Sequence, residues 1–290
     1  MIGVIGSQHF SNNLIQELKS CIDIKIVTTN LKDPQLSQKA EDCEIIHYIF
    51  SPLVTLGGLR TVKALKKMKK KIIVHWIGTD ILNATTKFKS RFIVKRYKGL
   101  VDAHLTPSSR MVKELGTIGI SCRELPLPIF GLYELQELSP GKKVLVYLPD
   151  SAEEFYGKNI IDRVIDSFPD VHFVILPSSG NSYFDRPNVT CMSWAKDMEK
   201  IYVDTRVFIR LPAHDGLPNS VIEALSTGRY VIYSHDFPHC ERAYSAEEVI
   251  AKLTKLLDSS SANIEGSNYV HNKYDKNKLK RQLIELYRSL

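Results

Sequence analysis

Short apolar runs alternate with segments of helical period along nearly the whole chain, and this alternation constrains the fold more than any other feature. In the first half the runs lie at 2–6, 23–28, 44–50, 71–76 and 101–106. Helix-period segments fall near 11–20, 33–40, 57–69, 86–98 and 108–118. Strands separated by helices imply a parallel sheet covered on both faces. The segment "PLPIFGLYELQELSPGKK", beginning at Pro126, interrupts the pattern with prolines and glycines and reads as a linker. The alternation then restarts, with strands near 143–148, 171–176, 188–192, 205–210 and 230–234 and helices near 158–167, 196–203, 219–227 and 246–258. After a small "DSSSAN" connection, the final segment near 275–290 is amphipathic, with Leu279, Leu283, Ile284 and Leu290 at helical spacing. A chain of 290 residues has room for two domains. The expected fold class is therefore α/β, with two Rossmann-like, doubly wound parallel-sheet domains facing a central cleft. They take residues 1–130 and 131–270, and a C-terminal helix takes 271–290. Ligands of such sheets sit outside the carboxyl ends of the strands.

Several classes are excluded. No apolar run approaches the roughly 18 residues of a membrane span. The opening "MIGVIGSQHF" has no basic leader region and reads as a strand. The five cysteines, Cys21, Cys43, Cys122, Cys191 and Cys240, are scattered and odd in number, which argues against a disulfide framework and against zinc. A cytoplasmic location is expected. Charge is uneven: residues 1–133 hold 20 Lys and Arg against 10 Asp and Glu, a net +10, whereas 134–290 hold 19 against 22, a net −3. A negatively charged partner facing the first half is implied.

The stretch "LPAHDGLPNSVIEALSTGRYVIYS" (211–234) carries the strongest chemical signal. A strand delivers a loop that opens a short helix near 219–227. Pro218 suits its first turn, and Gly228 suits its left-handed exit. Amides at a helix start, with the macrodipole, make an anion site that fits a pyrophosphate. Gly216 leaves room for a ligand to approach the backbone. Glu223 and Asp215 are carboxylates on either side, suited to accept hydrogen bonds from vicinal hydroxyls. Phosphate flanked by hydroxyl acceptors describes a nucleotide sugar. The plain alternative is an ordinary strand–loop–helix built from loop-forming residues.

"HDGLPNSVIEALSTGRYVI" resembles the signature of retaining glycosyltransferases of family four, which have the GT-B fold. That signature runs Glu-Gly-(Phe/Leu)-Pro-Asn, then Glu-Ala and a later glycine. Asp215 stands where the family has its first glutamate, about one methylene shorter, and Glu223 stands at the second. The resemblance implies that Gly216, Leu217, Pro218, Asn219 and Glu223 contact the donor, with Asp215 and Glu223 among the catalytic residues. It also implies that the last helix crosses back to the first domain. The family's diphosphate-gripping Lys is carried to Lys158. Its Arg has no counterpart in "VLVYLPDSAEEFYGKNIID", and Arg210 is the candidate substitute, with a buried structural ion pair as the alternative. "VHWIGTDIL" (74–82) is similar to a His-Gly-(Ser/Thr)-Asp strand end, matching at Gly78, Thr79 and Asp80. Ile77 fills the histidine position. His75, two residues earlier on the same strand face, is the candidate for the cleft, or else a core histidine. Asp80 lines the cleft or caps the following helix. In the first loop His9 or Ser11 faces the acceptor, or Ser11 is a helix N-cap. His235 and His239 are four apart with Pro238 between them, an unpromising metal pair.

The resemblance implies metal-independent transfer of a hexosyl group, with retention, from a UDP- or GDP-linked nucleoside-diphosphate sugar to a glycan or lipid-linked hydroxyl, with no further cofactor. A nucleotide-sugar 2-epimerase and a non-catalytic nucleotide-sugar-binding subunit are the alternatives. The basic blocks "KALKKMKKK" (Lys63–Lys71) and "KFKSRFIVKRYK" (Lys87–Lys98) read as contact with an anionic membrane surface, or as solvated faces. No nucleic-acid module is present.

Overall fold

The computed structural model describes residues 1–30, 33–180, 183, 185–193, 195 and 197–290. The chain forms two compact units, one of residues 1–129 with 274–290, the other of residues 130–273.

In the first unit the strands are β1 (Ile2–Ile5), β2 (Ile24–Thr28), β3 (Ile45–Ile49), β4 (Lys71–His75), β5 (Ala103–Thr106) and β6 (Arg123–Glu124). All pair in parallel, in the order β2-β1-β3-β4-β5-β6. The helices are α1 (Gln8–Leu18), α2 (Leu36–Lys39), α3 (Leu56–Lys67), α4 (Thr79–Thr86), α5 (Phe88–Tyr97) and α6 (Ser109–Gly116). β3 is buried along its whole length, as a central parallel strand covered on both faces must be. Trp76, Tyr48, Ile46, Val62 and Leu65 lie in one core cluster.

The second unit repeats the plan with β7 (Lys143–Tyr147), α7 (Lys158–Ser167), β8 (His172–Leu176), β9 (Val189–Cys191), α8 (Met198–Val203), β10 (Val207–Arg210), α9 (Asn219–Ser226), β11 (Tyr230–Tyr233), β12 (Glu241–Arg242), α10 (Ala246–Leu257) and α11 (Ile264–Lys273). Its order, β12-β11-β10-β7-β8-β9, is again wholly parallel. Lys196, the first residue of the helix expected over 196–203, lies outside the described residues.

The last helix, α12 (Lys276–Ser289), belongs to the first unit, as the crossing-back expectation required. Lys276 and Lys280 both reach Glu17 on α1, at 2.6 and 2.8 Å. The Tyr287 hydroxyl lies 2.6 Å from His47 Nδ1 on β3. Both side chains are buried.

Residues 130–137, read as a linker, hold no helix or strand but are fastened to α9 and its exit. Gly131 N donates to Glu223 Oε1 at 3.0 Å, Tyr133 N to Ser226 Oγ at 3.0 Å, and Gln136 N to the Thr227 carbonyl at 3.2 Å. Arg229, fully buried, donates to the carbonyls of Val203, Thr205, Thr227, Gln136 and Glu137. Nothing in the local sequence marks Arg229 for this role. Its partners come from three separate segments.

Candidate functional site

A doubly wound sheet binds ligands where consecutive connections leave neighbouring strands in opposite directions. In the second unit the chain passes from β7 through β8 to β9, then returns to place β10 on the other side of β7. The switch point therefore lies between the loop after β7 and the loop after β10. The second of these is the motif loop, 211–218. The two are joined directly, with Ala213 N donating to the Phe155 carbonyl at 2.8 Å.

The motif helix α9 runs for eight residues, Asn219–Ser226, with no side chain capping its N-terminus. Pro218 takes the N-cap, one position earlier than expected, because its carbonyl accepts from Val221 N and Ile222 N. Gly228 ends the helix at φ +79, and a Cβ there would stand 2.5 Å from Leu135 Cδ1. The left-handed φ favours glycine, and any Cβ would have to displace the Leu135 side chain. Gly216, Leu217 and Asn219 are half-buried.

Asp215 is held from within its own unit. Its Oδ2 accepts from Arg210 Nε at 2.8 Å and from the Tyr233 hydroxyl at 3.1 Å, and its Oδ1 accepts from Gly216 N at 2.9 Å. Burial alone would raise the carboxyl. The Arg210 charge, with these hydrogen bonds, reverses that and holds Asp215 below the usual carboxylate range. Burial acts against the Arg210 charge, and Asp215 overrides it in turn. The guanidinium also lies over the rings of Tyr147 (4.3 Å) and Tyr156 (5.2 Å). Arg210 is thus the buried ion-pair alternative, not an uncommitted diphosphate grip.

Glu223, half-buried on α9, accepts from Gly131 N and, through Oε2, from the Tyr202 hydroxyl at 3.2 Å. Lys158 opens α7 behind Gly157, whose φ of +76 turns the chain into the helix. The ammonium lies 3.0 Å from Asp162 and 4.5 Å from the centre of the Tyr183 ring. The switch point thus gathers Lys158, Arg210, Asp215, Gly216 and the start of α9. It also brings Tyr147 and Tyr156, which the sequence reading missed. Aromatic residues at a strand end and in a loop carry no periodicity to find them by.

The candidates in the first unit fare differently. Asp80 does not line an open site. It is fully buried and accepts from the main-chain amides of Ser51, Ile77, Gly78 and Ile81 at 2.7–3.1 Å. It fastens the loops after β3 and β4 to each other. His75 is also fully buried, its ring stacked 5.5 Å from that of His47, so it takes the core reading. Desolvation depresses His75 well below the usual histidine value and brings His47 to about 3. Ser11 is not an N-cap. α1 begins at Gln8, its cap is Ser7, and Ser11 is buried in the first turns. His9 is exposed beside Asn13. His239 stands at φ +61 with Glu265 and Tyr269 for neighbours.

Solved structures share this fold. Anabaena Alr3699/HepE in complex with UDP-glucose superposes with a TM-score of 0.78 at 12% identity, over 100% of this chain and 99% of that one. The putative UDP-N-acetylglucosamine 2-epimerase of Listeria monocytogenes gives 0.62 at 10% identity, over 99% and 95%. S. aureus TarM gives 0.64 at 11%, over 85% of this chain and 55% of that one. Likeness at such identity establishes the two-sheet architecture of the GT-B class and leaves the chemistry to be argued from the site. No family model and no curated protein matches the sequence.

Proposed function

We propose that the protein is a metal-independent retaining hexosyltransferase that uses a nucleoside-diphosphate sugar and a glycan or lipid-linked hydroxyl. One observation carries the reading. The glycosyltransferase-like motif forms the loop at the topological switch point of the second unit, where a doubly wound sheet takes its nucleotide. The HepE structures hold UDP, UDP-glucose, or UDP with glucose, which supports such a donor here.

The start of α9, with no side chain capping it, faces the diphosphate. Lys158 turns from Asp162 to the departing phosphate. A partly exposed i,i+4 ion pair is worth only about 0.3–0.5 kcal/mol and the Tyr183 ring contact about 0.5–1 kcal/mol, so the exchange costs little against a dianion. Glu223 accepts from donor hydroxyls in addition to its protein donors, since a carboxylate offers about four acceptor positions. Asp215 receives the sugar on one side and fixes Gly216 and Arg210 on the other. Its ionised state, secured by Arg210, keeps it an acceptor at neutral pH. The departing phosphate takes the acceptor proton, so no enzymic nucleophile is required.

The Listeria structure puts a putative 2-epimerase on the same fold. Incubation with UDP-, GDP- and ADP-sugars separates the readings. Slow release of free sugar is expected without an acceptor, giving way to faster release of the nucleoside diphosphate and transfer of the sugar when an acceptor is supplied. Formation of the 2-epimer without an acceptor indicates the epimerase, and binding without turnover under every acceptor tried indicates a binding subunit.

A further inference from the structure

Between Glu44 and Asp102 the sequence holds one carboxylate, Asp80, and that one is buried. The two basic blocks in this interval were expected to act together. They touch at one point, with Lys63 Nζ 4.4 Å from the centre of the Tyr97 ring, but the rest of the first block runs to the amino ends of the strands. Lys66–Lys71 close α3 and open β4, so they lie at the amino ends of the strands. Acids and carbonyls engage them there: Lys66 and Lys71 approach Asp102 at 2.8 and 3.9 Å, and Lys70 donates to the Glu41 carbonyl.

The other block is carried by α5, which packs Ser90, Ile93 and Val94 inward, with the Ser90 hydroxyl donating to the Val54 carbonyl at 2.8 Å. Its outward residues are Phe88, Lys89, Arg91, Phe92, Lys95 and Arg96. Phe88 is 84% exposed and Phe92, one helical turn on, 63%. Leu56, at the start of α3 just beyond Val54, is 62% exposed. Among the described residues no carboxylate pairs with Lys87, Lys89, Arg91 or Lys95. Since β3 leads through residues 52–54 into α3, Leu56 and the Val54–Ser90 contact lie toward the carboxyl ends of the strands.

We propose that the face carried by Leu56, Phe88 and Phe92, ringed by Lys87, Lys89, Arg91 and Lys95, docks the protein onto an anionic lipid bilayer. Bulky side chains this exposed gain by entering the headgroup boundary, and unpaired cations beside them match anionic lipid. A bilayer matches this set without any fixed arrangement of partners, since it supplies mobile negative charge beside an apolar layer. The lipid-linked acceptor of the proposed reaction would then arrive at the strand ends where ligands bind. That use rests on the proposed function, but the docking does not.

Flotation with phosphatidylcholine vesicles, with and without phosphatidylglycerol and with no sugar donor, tests the docking alone. Recovery is expected only with the anionic lipid. Phe88→Ala with Phe92→Ala should lower the partition coefficient at least tenfold. Lys87→Gln, Arg91→Gln and Lys95→Gln together should lower it about 100-fold. Lys67→Gln with Lys69→Gln, at the amino ends, should change it less than threefold. Unchanged melting curves would show that the variants fold. Equal recovery on both lipids, an unaffected phenylalanine variant, tighter binding to a random RNA than to vesicles, or self-association abolished by Phe88→Ala/Phe92→Ala would each overturn the proposal.

Discussion

Replacing Asp215 with alanine removes the counter-charge of Arg210 and leaves a buried guanidinium, on a side chain only 9% exposed, without its carboxylate. Breaking one side of a buried pair costs about 3–5 kcal/mol. The lower end applies here, because the Tyr147 and Tyr156 rings keep part of the cation's stabilisation. The Gly216 amide and the Tyr233 hydroxyl also lose an acceptor. For a domain of this size about 3 kcal/mol is a fall of roughly 6–12 °C in Tm. Arg210→Met with Asp215→Leu removes both charges and should recover most of that loss, since an apolar pair of similar volume is close to neutral. The pH dependence follows from the depressed carboxyl. Its contribution is fully present above the unfolded value, about 3.9, and is lost as pH falls through the lower folded value. The alanine penalty should therefore be constant from about pH 5 to 8 and shrink only below about pH 4. Circular dichroism melts and urea titrations of the three proteins measure all of this. An Asp215→Ala melt within about 2 °C of the parent, or a double variant less stable than the single one, would refute the argument.

Glu223→Ala should cost about 1–3 kcal/mol through the stranded Gly131 amide and Tyr202 hydroxyl. Under the proposed function it should also lower kcat/KM at least 100-fold, which initial-rate assays on the active donor would show. Gly228→Ala should destabilise by more than about 1 kcal/mol, because φ is +79 and Leu135 must move, read as a lowered urea midpoint. His47 is neutral when folded, at about 3 against about 6.5 unfolded, so stability should fall as pH drops from about 6.5 toward 3, by up to about 1.4 kcal/mol per pH unit. The same plot for His47→Leu should be flatter.

The long elements were legible because burial on both faces of a parallel sheet leaves a continuous apolar run. β6 and β12 are two-residue edge strands, too short for any period to register. The helix expected over 86–98 stands as α5. The preceding α4 was not anticipated, and the break between them falls at Lys87, which takes an extended conformation without a Pro or Gly to announce it. α11, with polar residues through much of its length, was missed as well. At the site, the motif placed Gly216, α9 and Gly228, because main-chain requirements leave a residue-level signature. What each side chain touches did not follow. The Tyr147–Arg210–Asp215 arrangement needs β7, β10 and the motif loop together, and the fate of Asp80 depends on the amide of Ser51 on another loop.

Under the proposed function, the electrostatics of the switch point narrow how an anion would be held there. The side-chain cations placed at it, Lys158 and Arg210, each have a carboxylate within 3.0 Å. The two pairs differ in how easily they open. Lys158 and Asp162 are 20% and 27% exposed, so water screens their attraction and the ammonium moves at little cost. Arg210 and Asp215 are 9% and 13% exposed, and separating them would leave both charges poorly solvated. A diphosphate bound as proposed would therefore draw Lys158 away but not Arg210. Under the proposed function, fixed attraction is left to the start of α9, where no side chain competes as a cap. Arg210 then acts through Asp215, whose Oδ1 holds the Gly216 amide while its Oδ2 holds the guanidinium. The absence of an arginine from the loop between β7 and α7 is consistent with this division, in which Arg210 orders the motif loop and, under the proposed function, Lys158 carries the charge response.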